Sequence, residues 1–314
     1  MENWKPPYVW KDGGLQPSED VKIGLLTHSL HYGLGVFEGT RAYEQTGGGS
    51  AIFRLDDHLK RLQGSARAVD IDLPYDFDTL RQASLDVVEA NGMATCYLRH
   101  IAWIGEGIMG LHPQDNPIEF AIITWPWGAY LGKEGLEKGV RCKVSSYARP
   151  HVNSTMTKAK VTGNYVNSIL AKREAGRSGY EEAIMLDTNG YLAECSGENL
   201  FIVHGNTIKT PALTSVLQGI TRATVMQIAR DLGYEVKEAT MTRDEMFFAD
   251  EVFMSGTAAE VTPVREVDDR PIGTGIAGPV TKAIQEVYFA TLRGERPEYS
   301  DWLSPVELAA AQAV

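Results

Sequence analysis

Two lysines lie close together in the segment 156–165, just ahead of a Gly-Asn turn signal, and Tyr165 ends that segment. A lysine at the start of a helix can be enclosed in a pocket, where its amine loses hydration. The amine can then exist in the neutral form that attacks carbonyl carbons. Tyr165 follows Lys160 by five residues and could share such a pocket. Taken alone, Lys158 and Lys160 are better explained as two solvated loop lysines, so the chemical interpretation depends on other segments.

Glu194 lies among small residues at the end of a predicted strand, in the run Ala-Glu-Cys-Ser-Gly. A carboxylate in such surroundings leaves room for a flat ring to approach. Beside a pyridine nitrogen, the acid would keep that nitrogen protonated and make the ring an electron sink. The alternative role, a turn acid that caps backbone amides, fits Glu198 better than Glu194.

Three further features could together bind a phosphate dianion. Gly219-Ile220-Thr221 opens a predicted helix, whose first N–H groups and dipole favour an anion. Ser255-Gly256-Thr257 follows a predicted strand and offers a second set of amides with hydroxyls. Arg61, on a predicted helix, would add a guanidinium. Each feature is weak alone, because most helix starts bind only water and an arginine on a helix edge is usually solvated.

A strand predicted over Thr95 to Ile104 places Tyr97, Arg99, Ile101 and Trp103 on one face. An arginine between a tyrosine and an isoleucine on such a face either pairs with a carboxylate of the protein or receives one from a ligand. The run His31 to Tyr43 threads three glycines through aromatic residues, which indicates backbone passing close to something bulky. A glycine-rich strand corner explains that run equally simply.

The elements that must position these residues can be outlined from periodicity and turn signals. Helices are predicted at 55–69, 77–90, 221–232 and 279–292, and hairpins with Asn-Gly or Gly-Asn turns lie around 187–190 and 205–206. The helix at 221–232 should bury Val225, Ile228, Ala229 and Leu232. A break at 126–132 looks like an interdomain linker, and the tail after the last helix is predicted to be loose.

Composition excludes several classes of protein. With 314 residues, 43% of them apolar and 23% charged, the chain can bury a large core. Its net charge of −11 disfavours a general nucleic-acid binder, although a pocket can still be locally positive. Three widely spaced cysteines indicate neither a disulfide framework nor a zinc site. The polar N-terminus and the lack of a long apolar run indicate no leader peptide and no membrane span, so a cytoplasmic enzyme is expected.

A carbonyl-reactive lysine, a ring-nitrogen acid, a phenol and a phosphate cup are the parts of a pyridoxal-phosphate site. The sequence resembles the branched-chain amino-acid aminotransferases, which are fold-type IV pyridoxal-phosphate enzymes. The resemblance runs from Tyr8 to about Trp302, through the runs 31–41, 125–131, 160–165, 194–201, 219–222 and 250–263. It implies a mixed α+β fold like that of D-amino-acid aminotransferase: a smaller N-terminal α/β domain (1–125), an interdomain loop (126–138) and a larger C-terminal pseudo-barrel domain (139–314) carrying the cofactor lysine.

The resemblance also implies a role for each matching residue, with pyridoxal 5'-phosphate as cofactor. Lys160 matches the Schiff-base lysine, Tyr165 would bind the cofactor's phenolic oxygen and Glu194 its ring nitrogen. The phosphate would be bound by Arg61, Ile220, Thr221 and Thr257. The substrate residues implied are Tyr97 and Arg99 for carboxylates, the Thr257-Ala258-Ala259 amides for the α-carboxylate, Phe37, Arg41, Trp127 and Tyr130 as pocket lining, and Tyr32 and Leu111 from a second subunit. Thr162 and Cys195 depart from the family pattern, which has glycine at the first position and glycine or alanine at the second.

The implied reaction is a ping-pong transfer of the amino group of L-leucine, L-isoleucine or L-valine to 2-oxoglutarate. A shared pocket requires a homodimer, and dimers of dimers or trimers of dimers are equally compatible. A D-amino-acid aminotransferase or an aminodeoxychorismate lyase of the same fold would use the same lysine and phosphate residues. The Tyr97-x-Arg99 pair and the run 127–130 favour the branched-chain enzyme. A non-catalytic binding module would keep the fold and lack the lysine–cofactor bond.

Overall fold

The computed structural model describes residues 4–113 and 115–308. The strands in this part of the chain, in order, are β1 (Tyr8–Lys11), β2 (Gly14–Pro17), β3 (Gly35–Glu44), β4 (Ser50–Phe53), β5 (Cys96–Ile104), β6 (Ile118–Trp125), β7 (Val140–Val144), β8 (Glu182–Leu186), β9 (Leu192–Cys195), β10 (Asn199–His204), β11 (Thr207–Pro211), β12 (Glu235–Ala239), β13 (Glu251–Gly256), β14 (Glu260–Val267), β15 (Arg270–Pro271) and β16 (Leu303–Val306).

The α-helices of the same residues are α1 (His28–Tyr32), α2 (Leu55–Ala68), α3 (Phe77–Asn91), α4 (Lys133–Lys138), α5 (Tyr165–Arg177), α6 (Ile220–Asp231) and α7 (Pro279–Leu292). Short 3-10 helices span Thr162–Asn164, Arg243–Phe248 and Pro297–Trp302. Within the described ranges, no helix has the length and apolar character needed to cross a bilayer.

The first compact unit comprises the described residues of Met1–Trp127, Ala159–Gly163 and Ala290–Val314. Its seven-stranded antiparallel sheet has the order β16-β4-β3-β5-β6-β1-β2. The inward face of β5 carries Leu98 and Ala102, which join Leu59 and Leu62 of α2 in one fully buried cluster. Because strand side chains alternate, Tyr97 and Arg99 lie on the opposite face from that cluster.

The segment with Lys160 belongs to this first unit and not to the C-terminal one. The Phe37 amide donates to the Lys160 carbonyl at 3.0 Å, and Val161 forms a bridge with Val36 of β3. The Lys160 amide in turn donates to Ser65 of α2 at 2.9 Å. Residues 159–163 therefore group with the first unit, whereas the resemblance implies that the domain 139–314 carries this lysine.

The second compact unit comprises Gly128–Lys158 and Asn164–Phe289. In its sheet the path β10-β13-β14-β7-β8-β9 returns to β10 through the pair Asn199–Glu194, so these six strands close on themselves. Strands β11 and β12 extend from β10, and β15 pairs with β14. Closure buries one apolar cluster that includes Val140, Ile184, Leu200, Met254 and Val264. This closed sheet is the pseudo-barrel that the resemblance implies.

Most predicted elements lie where periodicity placed them, with three differences. Leu232 is 40% exposed and caps α6 instead of packing under it, whereas Val225, Ile228 and Ala229 are buried. The predicted interdomain loop 126–138 contains α4, which Gly132 and Gly139 flank. Within the C-terminal segment predicted to be loose, residues 303–306 form β16, which pairs with β4 in the first unit, and residues 309–314 lie outside the described residues. Neither a short charged helix nor an edge strand of four residues has a strong sequence signal.

Candidate active site

Lys160 is partly buried and Lys158 is exposed, so the structure distinguishes the two lysines. Ala159 and Val161, on either side of Lys160, are both buried in the core of the first unit. The Lys160 ammonium lies 4.9 Å from the centroid of the Phe37 ring. The backbone of Lys160 is fixed by its hydrogen bonds to β3 and α2. Of the two lysines, Lys160 is thus the one whose position fits the predicted chemical role.

Thr162, one of the departures from the family pattern, helps to hold this segment. Its hydroxyl donates to the Gly33 carbonyl at 2.6 Å, and the Gly163 amide donates to the same carbonyl at 3.0 Å. A β-carbon at Gly35 would lie 2.9 Å from the Ala102 carbonyl oxygen, so the close approach requires glycine there. The glycine-rich run thus supports the lysine segment.

Arg61 belongs to a buried ionic cluster that the sequence did not reveal. It donates from Nε to one oxygen of Glu38 at 2.6 Å and from its terminal nitrogen to the other at 2.9 Å. His58, one helical turn before Arg61, lies 2.7 Å from Glu38 through Nδ1. Burial alone would raise the pKa of Glu38, but the charge of Arg61 and the bonds from both residues hold that pKa far below its usual range. Burial lowers the pKa of His58 despite Glu38, with Arg61 and Lys160 contributing.

Arg99 lies in a box of aromatic rings in the first unit. Its guanidinium carbon is 4.5 Å from the Phe37 centroid and 5.5 Å from those of Tyr97 and Trp125. Arg99 donates to the Tyr97 hydroxyl at 3.4 Å, and its buried Nε has no hydrogen-bond partner among the described residues. A buried donor without a partner is costly, so a ligand oxygen that reached it would be favoured.

Arg41 and Trp127 lie beside this box. Arg41 is 4% exposed and donates to the Trp127 carbonyl. The Trp127 ring packs edge-on against Tyr97 with centroids 4.6 Å apart. A β-carbon at Gly39 would collide with the Tyr97 hydroxyl, so the strand needs glycine at that position. The predicted residues Phe37, Arg41, Tyr97, Arg99 and Trp127 are thus gathered within the first unit.

Glu194 lies on β9 in the second unit, where Arg149 is its counter-ion at 3.0 Å. The Leu217 amide donates to the other carboxylate oxygen at 3.0 Å, and Asn199 donates to it at 3.4 Å. Both Glu194 and Arg149 are more than nine-tenths buried. The ion pair stabilises the negative charge that a protonated ring nitrogen would face. Arg149 follows no sequence pattern that would have indicated this role.

The predicted phosphate-binding turns also lie in the second unit. Thr221 and Ile220 are buried in the first turn of α6, and a β-carbon at Gly219 would collide with the Asn199 side chain. Thr257, Ala258 and Ala259 form the tight turn between β13 and β14. Ser255, at the end of β13, has a buried hydroxyl that lacks a hydrogen-bond partner among the residues described. Such a hydroxyl and the N-terminal turn of a helix suit an anion.

Tyr130 and Tyr165 are also residues of the second unit, and Tyr130 lies near the buried acids Glu182 and Glu198. The Lys172 ammonium is 5.2 Å from the Tyr130 centroid and 2.5 Å from the fully buried Glu182. Burial, and to a smaller extent the charges of Glu198 and Glu182, raises the pKa of Tyr130. Tyr165 begins α5 directly after the 3-10 turn.

Tyr32 and Leu111, expected to serve a second subunit, are exposed on the first unit. Tyr32 is 46% exposed and stacks on His28 at 4.6 Å, and Leu111 is 90% exposed. Their reach into a partner's pocket stays a prediction.

The residues present suit pyridoxal 5'-phosphate. The first unit offers a partly buried amine and a fixed guanidinium. The second unit offers a buried acid paired with Arg149, a tyrosine at a helix start, an anion-suited helix terminus and the buried hydroxyl of Ser255 without a partner among the described residues. Among the residues described, no cluster of three His, Cys, Asp or Glu side chains could hold a metal ion.

The comparisons with known proteins point the same way. The family model Amino-transferase class IV matches residues 35–267. A branched-chain-amino-acid aminotransferase of Pseudomonas aeruginosa is 45% identical over 299 residues, which cover 95% of this chain and 97% of the relative. The T.th. branched-chain amino acid aminotransferase with pyridoxamine 5'-phosphate has a TM-score of 0.93 at 49% identity, over 96% and 99% of the two chains. The same enzyme complexed with N-(5'-phosphopyridoxyl)-L-glutamate has a TM-score of 0.91 at 47% identity, over the same shares.

Proposed function

Because this chain belongs to the branched-chain aminotransferases of the class IV aminotransferase family, we propose that Lys160 and Glu194 act on one pyridoxal 5'-phosphate. The enzyme transfers the amino group of L-leucine, L-isoleucine or L-valine to 2-oxoglutarate, giving the branched 2-oxo acid and L-glutamate. The observation that carries this function is the likeness to branched-chain aminotransferases at 45–49% identity over nearly the whole chain.

The bound cofactor supplies an aldehyde for the amino group and a ring that takes up electrons. Lys160 moves the proton at the substrate's Cα, because it is the less exposed of the two lysines and its backbone is fixed on β3 and α2. Glu194, paired with Arg149 at 3.0 Å, would keep the ring nitrogen of the bound cofactor protonated. Tyr165 binds the phenolic oxygen. Arg61, Ile220, Thr221 and Thr257 hold the phosphate.

The substrate residues must accept both an aliphatic side chain and a γ-carboxylate. Phe37, Tyr130 and Leu111 of a partner subunit offer apolar surface for the first, with Arg41 and Trp127 beside them. Arg99 has a buried donor for the second, and Tyr97 orients it. The amides of the turn 257–259 bind the α-carboxylate. The T.th. relative has been crystallised with N-(5'-phosphopyridoxyl)-L-glutamate and with 4-methylvaleric acid, which represent these two demands.

Self-association is proposed from an exposed apolar patch on the first unit, called here the 23–32/108–111 patch. Its two segments are joined, because His28 bonds the Gly110 carbonyl at 2.6 Å and Thr27 bridges Glu106. Contiguous apolar surface of this kind marks an interaction site. A second copy of this chain is the expected partner, since Tyr32 and Leu111 belong to the patch. Its exposed members are Ile23, Leu25, Leu26, Leu30, Tyr32, Ile108, Met109 and Leu111.

A cytoplasmic location is also proposed. Cys96, Cys142 and Cys195 are all buried free thiols, as suits a reducing compartment. Burial raises the pKa of Cys96 to about 12, so its thiol is protonated and unreactive at neutral pH.

A substrate panel tests the reaction. The enzyme is incubated with 2-oxoglutarate and, separately, with L-leucine, L-isoleucine, L-valine and D-alanine, and glutamate is measured. We expect glutamate with the three branched L-amino acids and none above background with D-alanine. Glutamate from D-alanine alone would instead identify a D-amino-acid aminotransferase.

A further inference from the structure

Glu38 is the most completely enclosed acid in the first unit's candidate site. It lies on β3 between Phe37 and Gly39, with no exposed surface. Its carboxylate accepts two bonds from Arg61, one from His58 and one from the Gly39 amide at 3.2 Å. Four donors on two oxygens occupy most of the positions that a carboxylate offers.

The geometry of the Arg61 contact is the fork expected for a guanidinium and a carboxylate. Nε and one terminal nitrogen donate side by side to the two oxygens, at 2.6 and 2.9 Å. Such a bidentate contact sets the plane of the guanidinium as well as its position. The long arginine side chain is thereby fixed before any ligand arrives, and a fixed binding group loses less entropy when it binds.

His58 completes the support from the same helix. It precedes Arg61 by three residues on α2, so the two side chains share one helix face. Its ring is 1% exposed and bonds the Glu38 oxygen that also receives the Arg61 terminal nitrogen. Glu38 on the sheet is thus held in place by two side chains of the helix that carries Arg61.

We propose that Glu38, supported by His58, is a positioning residue that fixes the guanidinium of Arg61 for the phosphate group of the cofactor. The inference rests on the proposed function, because it takes Arg61 as a phosphate ligand. Two effects of Glu38 oppose each other. Its negative charge reduces the attraction of Arg61 for an anion, whereas the bidentate contact restricts the conformations of the arginine side chain. The second effect is the larger one.

The test compares two probes that differ only in the phosphate, pyridoxal 5'-phosphate and pyridoxal. Dissociation constants for both are measured by fluorescence titration of the full-length apoprotein, for the wild type and Glu38→Gln. We expect Glu38→Gln to reduce the preference for the phosphorylated probe by about tenfold or more, as loss of an outer partner of a binding group commonly does. The pyridoxal affinity should change less than about threefold by the same reasoning.

Two further variants separate positioning from a structural role. Glu251→Gln is the matched control, because Glu251 is a buried acid that bonds Val280 and Thr281 in the second unit. This variant should keep the wild-type preference for pyridoxal 5'-phosphate over pyridoxal, even if it unfolds at a lower temperature. Glu38→Asp keeps the negative charge but moves the carboxylate away from Arg61 by one methylene group. Its preference for pyridoxal 5'-phosphate over pyridoxal should lie between those of the wild type and Glu38→Gln. It serves as the test if Glu38→Gln does not fold.

A double-mutant cycle asks whether Glu38 acts through Arg61. Arg61→Lys should lower the phosphate preference, and adding Glu38→Gln to it should change that preference by less than about threefold, because the fork is already lost. An unchanged or higher preference in Glu38→Gln, an equal loss of affinity for both probes, or additive effects in the cycle would each overturn the proposal. Failure of the wild type to bind pyridoxal 5'-phosphate would instead contradict the proposed function.

Discussion

Arg149 is the buried counter-ion of Glu194, and the sequence did not indicate it. A carboxylate more than nine-tenths buried needs a counter-charge, and Arg149 supplies it at 3.0 Å while the Leu217 amide bonds the other oxygen. Removing one partner of a buried pair leaves an uncompensated charge, which is far more destabilising than losing the pair itself. Arg149 therefore supports both the stability of the second unit and the negative charge of Glu194.

Arg149→Met should lower kcat/KM for L-leucine by about tenfold or more, because Glu194 then takes up a proton and no longer favours a charged ring nitrogen. It should also lower the free energy of unfolding by about 3–5 kcal/mol. Steady-state kinetics and urea unfolding measure the two effects. Adding Glu194→Gln should recover much of the stability but none of the activity. Arg230→Met, on the exposed face of α6, is the control and should match the wild type.

Glu198 should make stability depend on pH. Burial, and then the charge of Glu182, raises the pKa of Glu198 from 4.5 to about 8 in the folded chain. The folded state therefore holds a proton that the unfolded state has lost, and stability falls as pH rises from about 4.5 to about 8. Above that range the loss is complete and constant.

Glu198→Gln should remove this loss, so the variant should gain stability over the wild type by a few kcal/mol at pH 8 and by much less at pH 5. Urea unfolding at several pH values gives both profiles. The difference between them reports the coupled group of Glu198, Glu182 and Lys172 together. Parallel profiles of the two proteins would contradict the expectation.

The sequence revealed single residues only where a motif carried them. Lys160, Arg61 and Arg99 were named from their surroundings or from the resemblance. Glu38 lies within the run 31–41, but the sequence indicated no role for it. Its only signal is that a charged residue lies inside a buried strand. The Glu38–Arg61 and Arg149–Glu194 contacts join residues 23 and 45 positions apart, which local spacing cannot show.

Among the elements, the start of α6 is the one most closely tied to the site. Gly219 has φ −69°, so its backbone is open to any residue, but a β-carbon would meet Asn199. Asn199 bonds both Glu194 and the Leu217 carbonyl. The absence of a β-carbon at Gly219 therefore leaves room for the Asn199 side chain that connects the start of α6 with Glu194.

Gly219→Ala should displace Asn199 and lower both the affinity for pyridoxal 5'-phosphate and the stability, the latter by about 1–3 kcal/mol. Cofactor titration and thermal unfolding measure these changes. Gly176→Ala is the control, because Gly176 lies in α5 with open space around its β position. It should bind the cofactor normally and gain up to about 1 kcal/mol in stability. Equal behaviour of the two variants would contradict the role given to Gly219.

Elements with local signals were predictable, and long-range pairings were not. Helix α7 begins and ends as predicted, at Pro279 and Leu292. In contrast, the pairing of β7 with β14 in the closed sheet and the pairing of β16 with β4 join strands that are far apart in the sequence. Helix α5 also exposes its large residues Val166, Ile169 and Leu170, which an apolar pattern alone would have buried.

At the scale of the whole molecule, an acidic chain contains local sites for anions. The net charge is −11, yet the candidate site of the first unit contains Lys160, Arg61 and Arg99. Acidic surface keeps the protein from binding polyanions in general, while enclosed cations bind small carboxylates and phosphates. The function class therefore followed from the motifs and the resemblance, and composition only excluded others.

Self-association should depend on the 23–32/108–111 patch. Leu25→Glu combined with Leu30→Glu places charges on residues that are 82% and 60% exposed, so the monomer should fold while the dimer dissociates. Sedimentation velocity should show the smaller species, and kcat should fall because Tyr32 and Leu111 of the partner leave the site. Phe248→Glu, at a position 77% exposed outside the patch, is the control. A fully active monomer would contradict the shared pocket.

The central claim is tested most directly by locating the covalent attachment of the cofactor. The holoenzyme is reduced with borohydride, digested, and mapped by mass spectrometry. We predict a single phosphopyridoxyl label on Lys160 and none on Lys158, with the label absent from Lys160→Ala. A label on another side chain, or no label at all, would contradict the account.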